Sequence, residues 1–553
     1  MVLTAMSTER DHPLAPDPDW WRGAVIYQVY PRSFQDSNGD GVGDLAGAIS
    51  RLPYIASLGV DAIWLSPFFR SPMLDYGYDV SHYRDVDPLF GSMGDLEALV
   101  HRAHDLGLRV IIDLVLSHTS DQHRWFKESR SSRDNPKADF YVWADAKPDG
   151  TPPNNWLSIF GGPAWEWDTE RQQYYLHNFL KEQPDLNFHN PEVQQELLDV
   201  ARFWLDKGVD GFRLDTINFY VHDKELRDNP VLPPEARDYS TAPEVNPYNW
   251  QDHLYDKSRP ENLEFLQRLR AVMDEFPAVA SVGEVGDAQR SMEIVGQYTS
   301  GKRVHMCYAF EFLSGFEPPS GARIAEVMRR FEAGAPEGWA CWAFSNHDVE
   351  RHVSRWRLRD VQVRLYVALL LSLRGSVCLY QGEELGLPEA YVPFEDLRDP
   401  YGIRFWPKFR GRDGCRTPLP WAHDTAYAGF SDAKPWLPLS IDHTSRAVSV
   451  QEANPGSVLN QYRNLIAWRR SHPALARGDL EILTATPGLL AFTRSYDGST
   501  ILCAFNLGEA QRSMRLPPGR WLALEGTGFD SGIEGTEAVL PPHQALFAAR
   551  AEQ

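Results

Sequence analysis

Cysteine is scarce, with Cys307, Cys341, Cys378, Cys415 and Cys503 the only five in 553 residues. An odd, widely spaced set without a CxxC pair gives no disulfide framework and fits thiols kept reduced. Basic charge is also short: 55 Lys and Arg stand against 76 Asp and Glu, a formal net charge of −21. Such a balance excludes a phosphate-binding footprint, so neither nucleic acid nor an anionic membrane surface is an expected partner. Long apolar runs are missing. The most apolar stretch, 363–373, carries Arg364 and is followed by Arg374, which reads as a buried helix and not a membrane span. The first 21 residues have no basic segment leading into an apolar core, so no secretory leader is expected and a cytoplasmic location is. No repeat or low-complexity tract appears.

What the chain does have is aromatic side chains, 18 Trp, 22 Tyr and 27 Phe, enough to fill a large core and to face ligands with flat apolar sides. Its length calls for one large domain with smaller ones. Between about residues 24 and 380, eight short apolar runs (AVIYQVY, DAIWLS, RVIIDLV, DGFRLD, ASVGEV, VHMCYAF, ACWAF, SVCLY) alternate with helical patterns such as QELLDVARFWLDKG. Runs that are apolar throughout suit parallel strands buried on both faces, and eight of them with helices between predict a (β/α)8 barrel. Almost a hundred residues separate the third run from the fourth. Residues 119–185, rich in Pro, Gly, Asn and Trp, predict a small inserted domain, because a structureless loop of that length is rare. The barrel is then expected over 1–118 and 186–475. Short β-prone runs with Gly, Asp and Pro turns predict an antiparallel β-sandwich over 476–553.

The C-terminal ends of barrel strands converge on one site. Here they carry Asp113 with His118, Arg213 with Asp215, then Glu284, then Asn346, His347 and Asp348. One acid after a strand is usually a loop or cap residue; the same bias at four strand ends asks for a shared chemistry. Cleavage of a glycosidic bond with retention needs a carboxylate nucleophile and a carboxylic acid about 5 Å apart. Asp215 suits the first role, since Arg213 two residues earlier points to the same face and would hold it ionised. Glu284, in the apolar setting SVGEVG, suits the second.

DLVLSH (113–118), GFRLD (211–215), GE (283–284) and NHD (346–348) resemble, in order and spacing, the four signature regions of the α-amylase superfamily, and QPDLN (183–187) a fifth in the inserted domain. The resemblance spans nearly the whole chain and implies Asp215 as nucleophile, Glu284 as acid/base and Asp348 as the third active-site carboxylate. Asp75 and Tyr78 in LDYGYD resemble the terminal-glucose clamp of the α-glucosidase branch, and Arg416 in GRDGCRTP the arginine that pairs with the Asp75 region; Arg412 is a second candidate. His118, Arg213 and His347 would touch the bound sugar, and Phe160 would wall it. Ser117 stands where many relatives have an Asn that in some amylases binds calcium, which puts such a site in doubt.

The loop DSNGDGVGD sets Asp36, Asn38, Asp40 and Asp44 at alternating positions, with the Val42 carbonyl between, a spacing of oxygen ligands for a hard cation. Without an ion the same residues make an Asp/Gly-rich turn. Similarity to the corresponding loop of related oligosaccharide-processing α-glucosidases favours one structural divalent ion, Ca²⁺ or Mg²⁺; no organic cofactor is expected. The resemblance implies a retaining, exo-acting α-glucosidase for short neutral oligosaccharides, α-1,4-linked by the Thr216 that follows the nucleophile, with some transglucosylation. A sucrose- or maltose-isomerising glucosyltransferase is the alternative, and a non-catalytic scaffold of a transporter complex a more distant one.

Overall fold

The computed structural model describes residue 14 and residues 16–551; the first residues of the expected barrel segment, 1–13, lie outside them. All eight apolar runs are strands: β1 Val25–Val29, β2 Ala62–Leu65, β3 Arg109–Leu114, β4 Gly211–Leu214, β5 Ala280–Val285, β6 Met306–Ala309, β7 Cys341–Trp342 and β8 Ser376–Tyr380. They form one parallel sheet in the order β6-β5-β4-β3-β2-β1-β8-β7. A parallel bridge between Cys307 and Ala340 joins its two edges, so the sheet closes into a barrel.

Strand periodicity sorts the side chains. Ile26, Trp64, Ile111, Ala280, Val282, Met306, Tyr308, Cys341 and Cys378 pack together as one cluster. Their alternates, among them Val25, Tyr27, Ile63, Val110, Ile112 and Leu114, belong to the large core shared with the helices. A period of two therefore assigns the first set to the barrel interior and the second to the outer layer. Asp113, Arg213 and Glu284 fall on the interior parity of β3, β4 and β5, and the register pairs Arg213 with Asp113 on one side and Val282 on the other. All five cysteines are buried and none is in a disulfide.

Residues 119–185 hold a helix, Arg124–Ser131, and a three-stranded antiparallel sheet of Trp143–Ala144, Gln173–Leu176 and Trp165–Asp168. The helix Pro191–Asp206 then returns the chain to β4. From Asp479 onward the strands are antiparallel and make a five-stranded and a three-stranded sheet. One buried arginine ties this region to the barrel. Arg494 donates to the Ser372 carbonyl, just past the end of the helix Asp360–Leu370, while Arg469 in the preceding helix Val458–Arg470 donates to the neighbouring Leu371 carbonyl. No helix among the described residues is long and apolar enough to cross a membrane.

Candidate active site

Arg213 is fully buried at the end of β4 and organises the barrel mouth. Its Nη1 lies 2.9 Å from Asp113 Oδ1 and 2.5 Å from Asp215 Oδ1, and its Nη2 lies 2.5 Å from Glu284 Oε2. Tyr308, on the interior parity of β6, accepts from the same guanidinium at 2.7 Å and donates to Glu284 Oε1 at 3.1 Å. After Asp215 the chain turns through Thr216 at φ 39°, ψ 48°, a left-handed conformation costly for a β-branched residue. The turn is held because the Thr216 N–H donates to Glu284 Oε2 at 3.1 Å, and the Thr216 hydroxyl bonds to Ser117 at 3.0 Å.

Protonation follows from burial against too few cations. Burial pushes the carboxyls of Asp215 and Glu284 up to about 7 and that of Asp113 to about 6, with Arg213 opposing each. The expectation that Arg213 alone keeps Asp215 low is thus corrected, because one guanidinium is divided among three buried carboxyls. Asp348 differs. Burial would raise it too, but His347 at 3.2 Å and the guanidinium groups of Arg412 and Arg416, at 3.1 and 2.9 Å, hold it well below the usual carboxylate range. Burial keeps the His347 imidazole neutral, so it acts on Asp348 as a polar neighbour while the positive charge beside Asp348 comes from the two arginines. The Gln28 amide donates to His347 Nδ1, which leaves the proton on Nε2, facing the Tyr78 hydroxyl at 2.5 Å; that hydroxyl donates to Asp113 at 2.9 Å.

Above this floor opens a cavity of about 760 Å³ counted to its mouth. Asp75, Tyr78, His118, Phe160, Asp215, Glu284 and Asp348 all line it. Three expected sugar contacts do not. Arg213 and His347, both fully buried, lie beneath the carboxylates and Tyr78, and Arg416 is fully buried behind Asp348, donating to the His347 carbonyl. Arg412 takes the place expected of Arg416, bonding Asp75 at 2.8 Å and Asp348 at 3.1 Å and lining the cavity. The two arginines flank the short turn Asp413–Cys415, and only Arg412 is drawn toward Asp75, by Asp399 at 2.8 Å. Burial pushes the Asp75 carboxyl up, against Arg412 and Arg416.

Sequence reasoning missed Tyr308, which strand parity would have found, and Gln183, whose amide donates to Asp75 at 3.1 Å. It also missed the outer wall: Ile159, Phe179, Phe219, Phe310 and Tyr401. These come from four separate loops, and nothing local distinguishes them from core residues.

The 36–44 loop contributes nothing to the cavity. Asp36 accepts from the N–H groups of Asn38, Gly39 and Gly41 and from the Ser431 hydroxyl. Asp44 caps the helix Leu45–Ser57 and accepts from Ser37, while Asp40 accepts from the Val42 N–H. Among the described residues no group of three or more His, Cys, Asp or Glu side chains is placed to hold a metal ion. Within the expected set of Asp36, Asn38, Asp40, Asp44 and the Val42 carbonyl, the Asp36, Asn38 and Asp40 side chains accept from the loop's own N–H groups, bonds that leave further lone pairs on Asn38 and Asp40.

The α-amylase catalytic-domain profile matches residues 28–478. The chain belongs to the α-amylase family. Within it, the chain is 64% identical, over 97% of its length and 98% of the relative's, to a probable α-glucosidase of Rhizobium meliloti (strain 1021). An oligo-1,6-glucosidase of Heyndrickxia coagulans is 36% identical over 96% of this chain and 99% of its own. Among solved structures of the family, an α-glucosyl transfer enzyme superposes with a TM-score of 0.94 at 55% identity, covering 96% of this chain and 99% of that one.

Proposed function

We propose that the chain is a retaining, exo-acting α-glucosidase that removes glucose from short α-glucosides. One observation carries the reading: a single guanidinium, Arg213, grips Asp215 and Glu284 at the floor of a cavity whose inner end is built from Asp75, Tyr78, His118 and Arg412. Two acids bridged in this way support the close spacing, about 5 Å, that retention requires. Both titrate near neutrality, so one proton shared by the pair supplies an ionised nucleophile and a protonated acid. Asp215 would attack the anomeric carbon while Glu284 protonates the leaving oxygen. Glu284, now ionised, would then take a proton from the water that releases glucose. Asp348, held ionised by two arginines, would accept hydrogen bonds from sugar hydroxyls and favour the positive charge of the transition state. The paired Asp75 and Arg412 would bind the terminal hydroxyls and bar longer chains on that side.

For linkage, Thr216 after the nucleophile supports α-1,4. The aromatic outer wall and the similarity to an α-glucosyl transfer enzyme support a second outcome, interception of the glucosyl intermediate by an alcohol in place of water. Wild-type turnover of p-nitrophenyl α-glucoside with the α-anomer of glucose released first, by proton NMR, tests hydrolysis with retention; release of β-glucose would refute it. Product analysis on maltose and sucrose measures transfer. We propose separately a divalent cation on the 36–44 loop, resting on its oxygen spacing alone. The N–H groups that donate to Asp36, Asp40 and Asp44 would hold the loop in its curl around the ion, and isothermal titration with Ca²⁺ and Mg²⁺ tests it.

A further inference from the structure

The ladder between β4 and β5 ends at Leu214 and Gly283, one residue short of Asp215 and Glu284. Glu284 is still paired with Tyr308 of β6, and the Asp215 N–H donates to the Leu114 carbonyl of β3, but no backbone pairing joins the two acids' own strands at that level. Side chains continue the connection. Asn218, fully buried in the turn Ile217–Phe219, accepts from the Gly286 N–H at 3.0 Å and donates to the Gly286 carbonyl at 3.1 Å. Its amide does for Gly286 what a neighbouring strand would do. The same carbonyl accepts from Lys257 Nζ at 2.8 Å.

Lys257 is an unusual residue to find there. It is 2% exposed, and its ammonium lies 5.0 Å from the Phe219 ring and 5.3 Å from the Tyr248 ring. Burial pulls its amine below the ordinary value, against Asp287 and Asp256. A buried ammonium is costly unless its charge and donors are used. Ser258 locks the arrangement from the next position: its N–H donates to the Asn218 carbonyl at 2.6 Å, and its hydroxyl accepts from the Asn218 amide at 3.0 Å. Lys257 and Ser258 end the long connection from β4 to the helix Asn262–Met273. That connection also supplies Thr241 to the cavity wall, beside Phe219 and Gly286.

From this geometry we infer that Lys257 is a positioning residue which, with Asn218, sets Glu284 against Asp215 by clamping the Gly286 peptide two residues beyond the acid. The inference rests on the α-glucosidase reading and gives Glu284 its exact approach to the leaving oxygen. A displacement of about 1 Å in such a group can cost roughly 100-fold. The loss should depend on the leaving group. A sugar alcohol needs a proton as it departs, whereas p-nitrophenolate leaves with little help.

The test is Lys257→Met, assayed on maltose and on p-nitrophenyl α-glucoside. The kcat/KM for maltose should fall about 100-fold while that for the aryl glucoside, which reports only the step that expels p-nitrophenolate and not the later attack of water, falls less than about 5-fold. Lys257→Arg, which keeps the donor and the charge, should recover kcat/KM for maltose to within about 10-fold of wild type. Equal losses of kcat/KM on the two substrates, or no loss on either, would overturn the clamp. If Lys257→Met does not fold by circular dichroism, Asn218→Ser carries the same comparison, since it leaves no buried charge unpaired. A wild-type protein that cleaved neither glucoside would sink the α-glucosidase reading itself, an outcome distinct from equal losses in the variants.

Discussion

The floor and the outer wall of the cavity are built on opposite plans. The floor is ionic and hydrogen-bonded: Asp113, Asp215, Glu284 and Asp348 are each tied to Arg213, Arg412 or Arg416 and come from strand ends or the residues just after them. The wall is apolar, with Ile159, Phe160, Phe179, Phe219, Phe310 and Tyr401 drawn from the inserted segment and the long loops. Phe160 stacks on Tyr401 at 4.7 Å and packs against Phe179 at 5.7 Å. A charge network loses everything when one member goes, because the remaining groups stay buried and unpaired. Packed rings lose by degrees, since each supplies only part of the surface. The floor should therefore decide whether the reaction runs, and the wall what leaves or accepts glucose.

The largest expected effect breaks the floor. Asp215→Asn should lower turnover of p-nitrophenyl α-glucoside by roughly 10⁴-fold or more, and full activity in that variant would remove Asp215 from the chemistry. Arg412→Ala should cost about 100-fold in kcat/KM, mostly through KM, because Asp75 and Asp399 lose their shared partner. A loss confined to kcat would place Arg412 with the reacting groups instead.

The pH profile sharpens the contrast. With Asp215 and Glu284 both pushed to about 7, the one-proton form of the pair is active, so kcat/KM should be bell-shaped with its two limbs on either side of neutrality. Stability carries the opposite sign from an ordinary salt-bridged acid. Both groups bind protons more tightly when folded, so their contribution is complete below the unfolded value of about 4 and is lost as pH rises through about 7. Asp215→Asn should then melt a few degrees above wild type at pH 8, with the gap closing near pH 4. An equal gap at both pH values would exclude ionisation as its cause. The smallest effect belongs to the wall: Phe310→Ala should change kcat/KM for p-nitrophenyl α-glucoside by only about 3- to 10-fold and shift the ratio of transfer to hydrolysis, read by product analysis with an added alcohol.

Legibility in the sequence divides along the same line. Eight apolar runs gave eight strands because residues buried on both faces of a parallel sheet must be apolar throughout. Asp113, Arg213 and Glu284 share a face because strand period is fixed at two. The Arg412 and Arg416 exchange was not legible: both follow one motif and both reach Asp348, and only the position of Asp399, 13 residues before Arg412, decides which extends to Asp75. Nor was the protonation of Asp215, since sequence shows that Arg213 is near but not that Asp113 and Glu284 divide its charge. The 36–44 spacing shows where oxygens recur along the chain and says nothing of which N–H groups they meet.

By itself, then, the sequence determined the barrel and the identities of its strand-end acids, because side-chain period and motif order are properties of the chain alone. Only the tertiary structure decided which arginine closes the pocket, which aromatics form its wall and how Gly286 is clamped by Asn218 and Lys257. Each of these is a contact between residues tens to hundreds of positions apart, fixed by packing and by the balance of charge in a dry interior.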